Sequence, residues 1–413
     1  MSEWRLQNLD ECVDVLDHLR VPVNEEARSN NPGNIPYYGA NGLQGYIDGW
    51  IFEEPLILMA EDGGYFDEFS TRPIAYKISG KSWVNNHAHV LRPKGEYDFD
   101  FLFYSLQHKN VLPFIKGGTR AKLNQRELRE IKLYVPVQQR VQKAISRILE
   151  TIDEAIEKTE ALIHKYQQIK TGLMHDLFTR GLTADGKIRP PREQAPELYQ
   201  KTPIGWIPKE WKIWGFEKVA QILDPQPDHR TPPEQRDGIP YIGIGDFDLN
   251  GELDTNGCRK IIPGAYKKQR QRFTAESGDI IFGKIGTIGH PKILPSGRYA
   301  LSANVLLIKS TICSNYMFHI LNAAFFDKQI SDITNTTSQP ALGIEKVRDL
   351  LIPLPSDDKE LNKISALLDS CYMNISNNFI YLQKLKKQKS GLMHDLLTGK
   401  VPVTIDPAET AHV

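Results

Sequence analysis

Several short stretches of this 413-residue chain carry residue types that could do chemistry, and each falls short of a catalytic set. Asp224-Pro225-Gln226-Pro227 lacks the second proline and the aromatic of an amino-methyltransferase loop, so it reads as a turn. Gly243-Ile244-Gly245 and Gly283-Lys284-Ile285-Gly286 lack the full glycine spacing and the closing Lys-Ser/Thr of a phosphate loop. There is no H-E-x-x-H pair for zinc. Asp357-Asp358-Lys359 has the spacing of a solvated helix start, where acids favour the dipole, rather than that of nuclease carboxylates. His175-Asp176 and His394-Asp395 offer an acid–base reading, but each pair sits in an apolar Leu/Met frame at the end of a long helix. Packing or partner contact explains them better. The chain therefore reads as a binding and positioning protein, with no metal centre.

The residues that could bind are basic and polar. Arg259-Lys260 is followed by Lys267, Lys268, Gln269, Arg270, Gln271 and Arg272, with no acid between Cys258 and Ala275. Such side chains can bond base edges or phosphates; the alternative is a solvated surface strand. Lys284 lies in the next glycine-rich stretch. Further toward the N-terminus the candidates are Asn85, Asn86, His87, Arg92, Lys94, and Thr119, Arg120 and Lys122 in a small polar segment. A matching segment holds Thr337, Ser338 and Gln339. Both segments stand just before a short helix, where backbone N–H groups can hold a phosphate. Thr119 and Ser338 could equally cap those two helices.

These residues are set in a duplicated frame. Gly172-Leu173-Met174-His175-Asp176-Leu177 recurs as Gly391-Leu392-Met393-His394-Asp395-Leu396, an offset of 219 that also relates Pro136 to Pro355 and Leu123 to Leu342. Glu3-Trp4 answers Glu210-Trp211 at 207, and Ile35-Pro36-Tyr37 answers Ile239-Pro240-Tyr241 at 204. A period this long is a domain duplication, not a solenoid repeat. Apolar positions from Val141 to Leu173 and from Leu361 to Leu392 keep a heptad, broken by Asn378, which predicts two rods of roughly 60 Å that pair antiparallel. The flanking regions alternate short apolar runs with glycine and proline turns, an α+β pattern. Expected boundaries are 1–136 and 205–355 for the globular domains, 137–182 and 356–400 for the helices, 183–204 for an extended proline-rich linker, and 401–413 for a tail.

Bulk composition narrows the class. Hydrophobic content of 40% and charged content of 25% suit a soluble globular protein. The 51 basic and 51 acidic residues cancel, which argues against a stand-alone nucleic-acid binder but not against a subunit whose partners share the phosphate contact. Four dispersed cysteines exclude a disulfide framework and fit a reducing cytoplasm. There is no signal peptide and no apolar run of ~18 residues, so no membrane is expected.

The repeated G-L-M-H-D-L helix ends, the Trp4 and Trp211 domain starts, and the polar turn-plus-helix running into Val135-Pro136 and Leu354-Pro355 carry a resemblance. The chain resembles the DNA-specificity subunits of type I restriction–modification systems over nearly all of residues 1–400. The usual Glu-Gln after the proline is Gln138-Gln139 in one copy and Asp358-Lys359 in the other. The resemblance implies an α+β fold: two target recognition domains on a long antiparallel two-helix coiled coil with pseudo-two-fold symmetry. Each domain would read half of a split, asymmetric site in double-stranded DNA, and the helices would fix the gap. Two methyltransferase subunits carrying S-adenosylmethionine would bind, with His175, Asp176, His394 and Asp395 as contacts. A motor-nuclease restriction subunit using ATP and Mg would join them, and this chain itself would bind no cofactor. A coiled-coil scaffold joining two protein-binding domains is the competing reading; it predicts no DNA affinity. An enzyme acting on DNA alone is disfavoured by the missing motifs.

Overall fold

The computed structural model describes residues 3–116, 121–228, 230–248, 251–334 and 341–404. Two compact units make up the chain, and they do not follow chain order. One comprises Met1–Lys158 with Gln383–Val413, the other Thr159–Leu382. The division arises from two long helices, Gln139–Thr179 and Asp358–Leu397, each of which gives one end to each unit. In the first unit Lys389 Nζ bonds Asp153 Oδ1 at 2.6 Å; in the second, Lys170 Nζ lies 4.0 Å from the Tyr372 ring centroid. In both units the late part of one helix meets the early part of the other, so the pair runs antiparallel.

The heptad predicts the second helix well. Leu361, Ile364, Leu368, Cys371, Leu382 and Leu385 are all buried, and Asn378 satisfies its amide on its own helix at Asn374 O (2.7 Å). The first helix departs from it. Leu162 and Ile169, placed on the stripe by a strict heptad, are 39% and 43% exposed, whereas Ile163 is buried. Its inward positions from Val141 to Leu177 follow the 3.6-residue period of a straight helix, which drifts ~20° per heptad from a 3.5 repeat.

Each globular domain is framed the same way. The strand that opens it pairs antiparallel with the strand that precedes its long helix: Trp4–Asn8 with Lys132–Pro136, and Lys212–Gly215 with Leu351–Leu354. Behind this pair lies a four-stranded antiparallel sheet. In the first domain its order is Val13–Val15, Ala88–Pro93, Leu56–Ala60, Ala75–Ile78; in the second it is Ala220–Leu223, Val305–Ser310, Ile280–Gly283, Gly289–Ile293. The central strands are apolar on both faces because one face packs on the long helices and the other on a smaller sheet. That second sheet contains one parallel pairing in each copy, Tyr37 beside Trp83 and Tyr241 beside Ala300. After Val305–Ser310 the chain forms two helices, Ser314–Leu321 and Ala324–Ile333, split where Asn322 donates its amide back to Phe318 O at 2.8 Å.

The duplicated motif closes the units crosswise. Met174, Leu177 and Phe178, at the end of the first helix, join the core of the second domain. Leu392, Met393 and Leu396, at the end of the second, join the core of the first domain. Each helix then stops at a left-handed glycine, Gly181 (φ 61°) and Gly399 (φ 70°), the usual C-terminal cap. A Cβ on Gly181 would meet Trp211 at 2.7 Å, and one on Gly399 would meet Trp4 at 2.9 Å. The repeated spacing of tryptophan, motif and glycine is thus a pair of reciprocal closures.

The segment 183–204 is not the extended tether expected from its prolines. It turns back through a bridge between Leu182 and Ile188, a short helical turn at Pro196–Leu198 and a hairpin of Tyr199–Thr202 with Gly205–Pro208. Arg189 anchors it. Its guanidinium grips Glu360 of the second helix at 2.5 and 3.3 Å, with both side chains 9% exposed.

Candidate nucleic-acid interface

The same four loops meet at one edge of each domain. In the first, His87 N–H donates to Asn85 Oδ1 (2.8 Å), Asn85 N–H to Tyr38 O (3.0 Å), Glu61 N–H to His87 O (2.9 Å) and Leu123 N–H to Glu61 O (2.8 Å). In the second, Asn304 N–H donates to Ser302 Oγ (3.2 Å), Ser302 N–H to Ile242 O (2.8 Å), Lys284 N–H to Asn304 O (2.8 Å) and Leu342 N–H to Lys284 O (2.9 Å). These bonds align Asn85 with Ser302, Glu61 with Lys284 and Leu123 with Leu342. Beside them Lys122 bridges to Asp62 and Ala341 to Ile285. Thr119 and Arg120 of the first segment, and Thr337, Ser338 and Gln339 of the second, lie outside the described residues.

Beneath this edge sits a buried charge network whose sign differs between copies. In the first domain Asp17 bonds His89 Nδ1 (2.6 Å) and Val90 N–H (2.9 Å), while His89 Nε2 faces Leu123 O (2.7 Å). Glu61 is clamped by Arg20 (2.6 Å) and Lys122 (2.9 Å). Burial pushes the Asp17 carboxyl up, but His89, Val90 and Arg20 together outweigh it and hold the group below its ordinary range. Burial likewise opposes, and Lys122, Arg20 and His89 overcome it at, Glu61. Asp17, Glu61 and His89 lie close enough to share an ion, but Arg20 and Lys122 already supply two positive charges there. In the second domain the equivalent of Glu61 is an ammonium: Lys284 pairs with Asp224 at 2.6 Å.

A pH dependence follows from the depressed carboxyls. The unfolded chain takes up these protons first as pH falls, so the network's contribution is complete above the ordinary carboxylate range of about 4 and is lost progressively as pH drops below it through the lowered folded-state values. The thermal midpoint should therefore decline between about pH 5 and pH 3, less steeply for Glu61→Gln than for the unaltered chain. Parallel declines would show that Glu61 is not part of the acid response.

The candidate residues sort into groups. Asn86 is exposed, and His87 is 40% exposed with Nδ1 on Asp62 (2.7 Å); Lys122 is at the same edge. Asn85 is a correction: it is buried and its side chain forms the turn. Arg92 and Lys94 are engaged within their own domain. Arg92 lies well along a strand between Asp14 and Glu54, 3.4 Å from each, and Lys94 Nζ donates to Asp10 O (2.6 Å). Lys284 is 2% exposed, so its ammonium supports the edge from within.

The basic run is neither loop nor strand but a helix, Pro263–Arg270, begun by proline at its first position. It has no counterpart among the described residues of the first domain, where the strand matching Lys260–Ile261 ends at Ile47 and the chain passes through residues 48–51 to the short strand Phe52–Glu53. Gln269 faces inward and bonds Leu301 N–H (2.8 Å) and O (3.0 Å), which fixes the helix on the sheet. The outward face carries Lys267, Lys268 and Arg270. Lys268 reaches Asp228 (3.4 Å); Lys267 has no side-chain partner among the described residues. Arg272 donates to Asp224 O and Pro225 O (3.1 and 3.3 Å), tying the helix end to the charge network. Gln269 was not legible as a core residue, because its partners are distant in sequence.

His175 and His394 are exposed at the helix ends, while their Leu and Met neighbours turn inward. His175 faces Asp176 (3.5 Å), which also pairs with Arg180 (3.3 Å). His394 Nε2 lies 2.6 Å from Lys400 Nζ, and Asp395 O accepts from Val401 N–H (3.3 Å). Among the described residues, no helix is long and apolar enough to cross a membrane.

The chain matches the family model described as type I restriction modification DNA specificity domain twice, at residues 1–166 and 208–387. It is 27% identical over 379 residues to a Haemophilus influenzae protein named as a type I restriction enzyme specificity subunit, covering 89% of this chain and 87% of that one. It is 25% identical over 331 residues to the MjaVIII specificity subunit of Methanocaldococcus jannaschii, covering 73% and 70%. Its fold matches a crystal structure of the type I restriction–modification S subunit from M. genitalium with a TM-score of 0.64 at 13% identity, over 96% of both chains. Two matches to one domain model, set in a duplicated frame with reciprocal closures, place this chain in the family of type I restriction–modification DNA-specificity subunits.

Proposed function

We propose that this chain is the non-catalytic reader of a type I restriction–modification complex, each domain recognising one half of a bipartite, asymmetric DNA target. The observation that carries this reading is the contrast between shared frame and different edge. The strand pairing, closures and hydrogen-bonded loops repeat, whereas Lys284 takes the position of Glu61, Ser302 takes that of Asn85, and among the described residues only the second domain has the basic helix. Two unlike edges on one frame suit two unlike half-sites. On this reading Asn86, His87 and Lys122 serve one half and Lys267, Lys268 and Arg270 the other, together with the polar segments.

The paired helices act as a spacer and seat two methyltransferase subunits, with the exposed His175-Asp176 and His394-Asp395 ends as contacts. Those subunits carry S-adenosylmethionine, and a restriction subunit carries ATP and Mg; the role of this chain is to position them. Such partners reconcile DNA reading with a net charge of zero.

The test is to express the chain with its methyltransferase and map adenine methylation across a genome. A split, non-palindromic motif is expected. Exchanging residues 1–136 for those of another family member should alter one half of that motif and leave the other. No motif, or a change in both halves, would overturn the reading.

A further inference from the structure

We infer that Gln44 is a base-reading residue of the first domain, presenting its carboxamide to an adenine edge in the major groove; this rests on the reading above.

The strands Ile35–Gly39 and Gly42–Ile47 form a tight hairpin, but their register slips. Tyr37 pairs with Gly45 and Tyr38 with Leu43, so Gln44 has no residue opposite it and is the extra residue of a β-bulge. A bulge re-aims one side chain, and bulges concentrate where proteins bind. Here the side chain is laid over Gly39, where a Cβ would fall 2.3 Å from Gln44 Nε2.

The orientation of the amide follows from a backbone group that cannot be reversed. His87 N–H can only donate, so the Asn85 atom it meets at 2.8 Å is the oxygen, Oδ1. Asn85 therefore turns Nδ2 toward Gln44 and donates to Oε1 at 3.0 Å. Gln44 is left with Nε2 and its two N–H donors unspent among the described residues, and with a second lone pair on Oε1. Asn85 is 4% exposed while Gln44 is exposed, so a buried amide holds an exposed one by its oxygen.

A fixed carboxamide with a free donor and a free acceptor side by side matches adenine, whose N7 accepts and whose N6 donates. The conformational freedom that an unrestrained glutamine would lose on binding is already lost in the folded protein. The residue is also at the right place. Asn41 bonds Gly63 O (2.9 Å), and the line Gln44–Asn85–His87–Asp62 runs through hydrogen bonds to the edge described above. In the second domain Ser302 replaces Asn85 and the chain beyond Gly243 makes a helical turn, so this device belongs to one half-site.

The experiment uses the full chain with its methyltransferase, after the unaltered pair has given its motif; a pair that yields no motif overturns the underlying reading and this inference with it. Given a motif, Gln44→Ala and Gln44→Glu should relax or change a single position in the half assigned to residues 1–136. Kd for the original duplex should rise about 5- to 150-fold, the range of a good bidentate base contact, with the other half intact. Gly39→Ala, which keeps Gln44 but pushes its flexible amide aside, should relax the same position. An unchanged motif in the Gln44 variants would sink the assignment. So would a loss of affinity equal for duplexes altered at every position, since that describes a phosphate contact or a folding defect.

Discussion

Replacing Glu360 with alanine should destabilise the second unit by about 3–5 kcal/mol, measured by urea or thermal unfolding. The carboxylate is 9% exposed and satisfies four donors: Arg189 Nη1 and Nη2, Leu182 N–H at 2.7 Å and Trp211 Nε1 at 3.2 Å. Removing it leaves a guanidinium buried without its counter-charge, and Arg189 cannot shed its proton to escape. Burial disfavours the charged guanidinium, yet Glu360 and Glu210 more than compensate and favour its protonated form. The first copy shows what the site can do without charge, because the residue 219 positions earlier is Val141, which is also buried. Glu360→Leu combined with Arg189→Met should accordingly recover most of the loss, since no orphan charge remains. A loss below ~1 kcal/mol for Glu360→Ala would show that Arg189 finds water or another partner.

The second large effect concerns the helices. Deleting seven residues from the middle of one alone should prevent correct assembly. Each helix starts beside one domain and ends in the core of the other, and the buried Leu177 or Leu396 would be displaced by roughly 10 Å at ~1.5 Å per residue. Deleting seven from both preserves the closures and should shorten the gap in the DNA target by about three base pairs at ~3.4 Å each. Methylation mapping reads the gap directly. A fold that survives the paired deletion with an unaltered gap would remove the helices from the role of spacer.

The parts legible in the sequence were those set by local periodicity. The duplication, both long helices and the short apolar runs that form the central strands follow from spacing and composition alone. Contacts between distant positions were not. The first helix is expected to run to 182, and nothing local tells that Gly181 ends it with Trp211 lying against it. Asn85 lies in a polar Asn-Asn-His run and Lys284 beside a glycine, compositions shared by exposed loops and buried turns; only the partners at Tyr38 and Asp224 separate the two. The basic run lost its strand reading to Gln269, a polar side chain buried because it completes the hydrogen bonding of Leu301. The linker's prolines forbid a long helix, as expected, yet they do not forbid packing, and one arginine settles the matter.

The crosswise closure also sets an order of manufacture. Domains generally fold as they leave the ribosome, the N-terminal one first. Here the unit that contains residues 3–158 needs Leu392, Met393 and Leu396 to cover its core, so it stays unfinished until residue 396 has been made. The unit built from 159–382 has its parts sooner. Of these two units, the one that holds the earlier residues is completed later, and a message cut short before residue 392 would leave the core around Leu9, Phe101 and Leu133 uncovered.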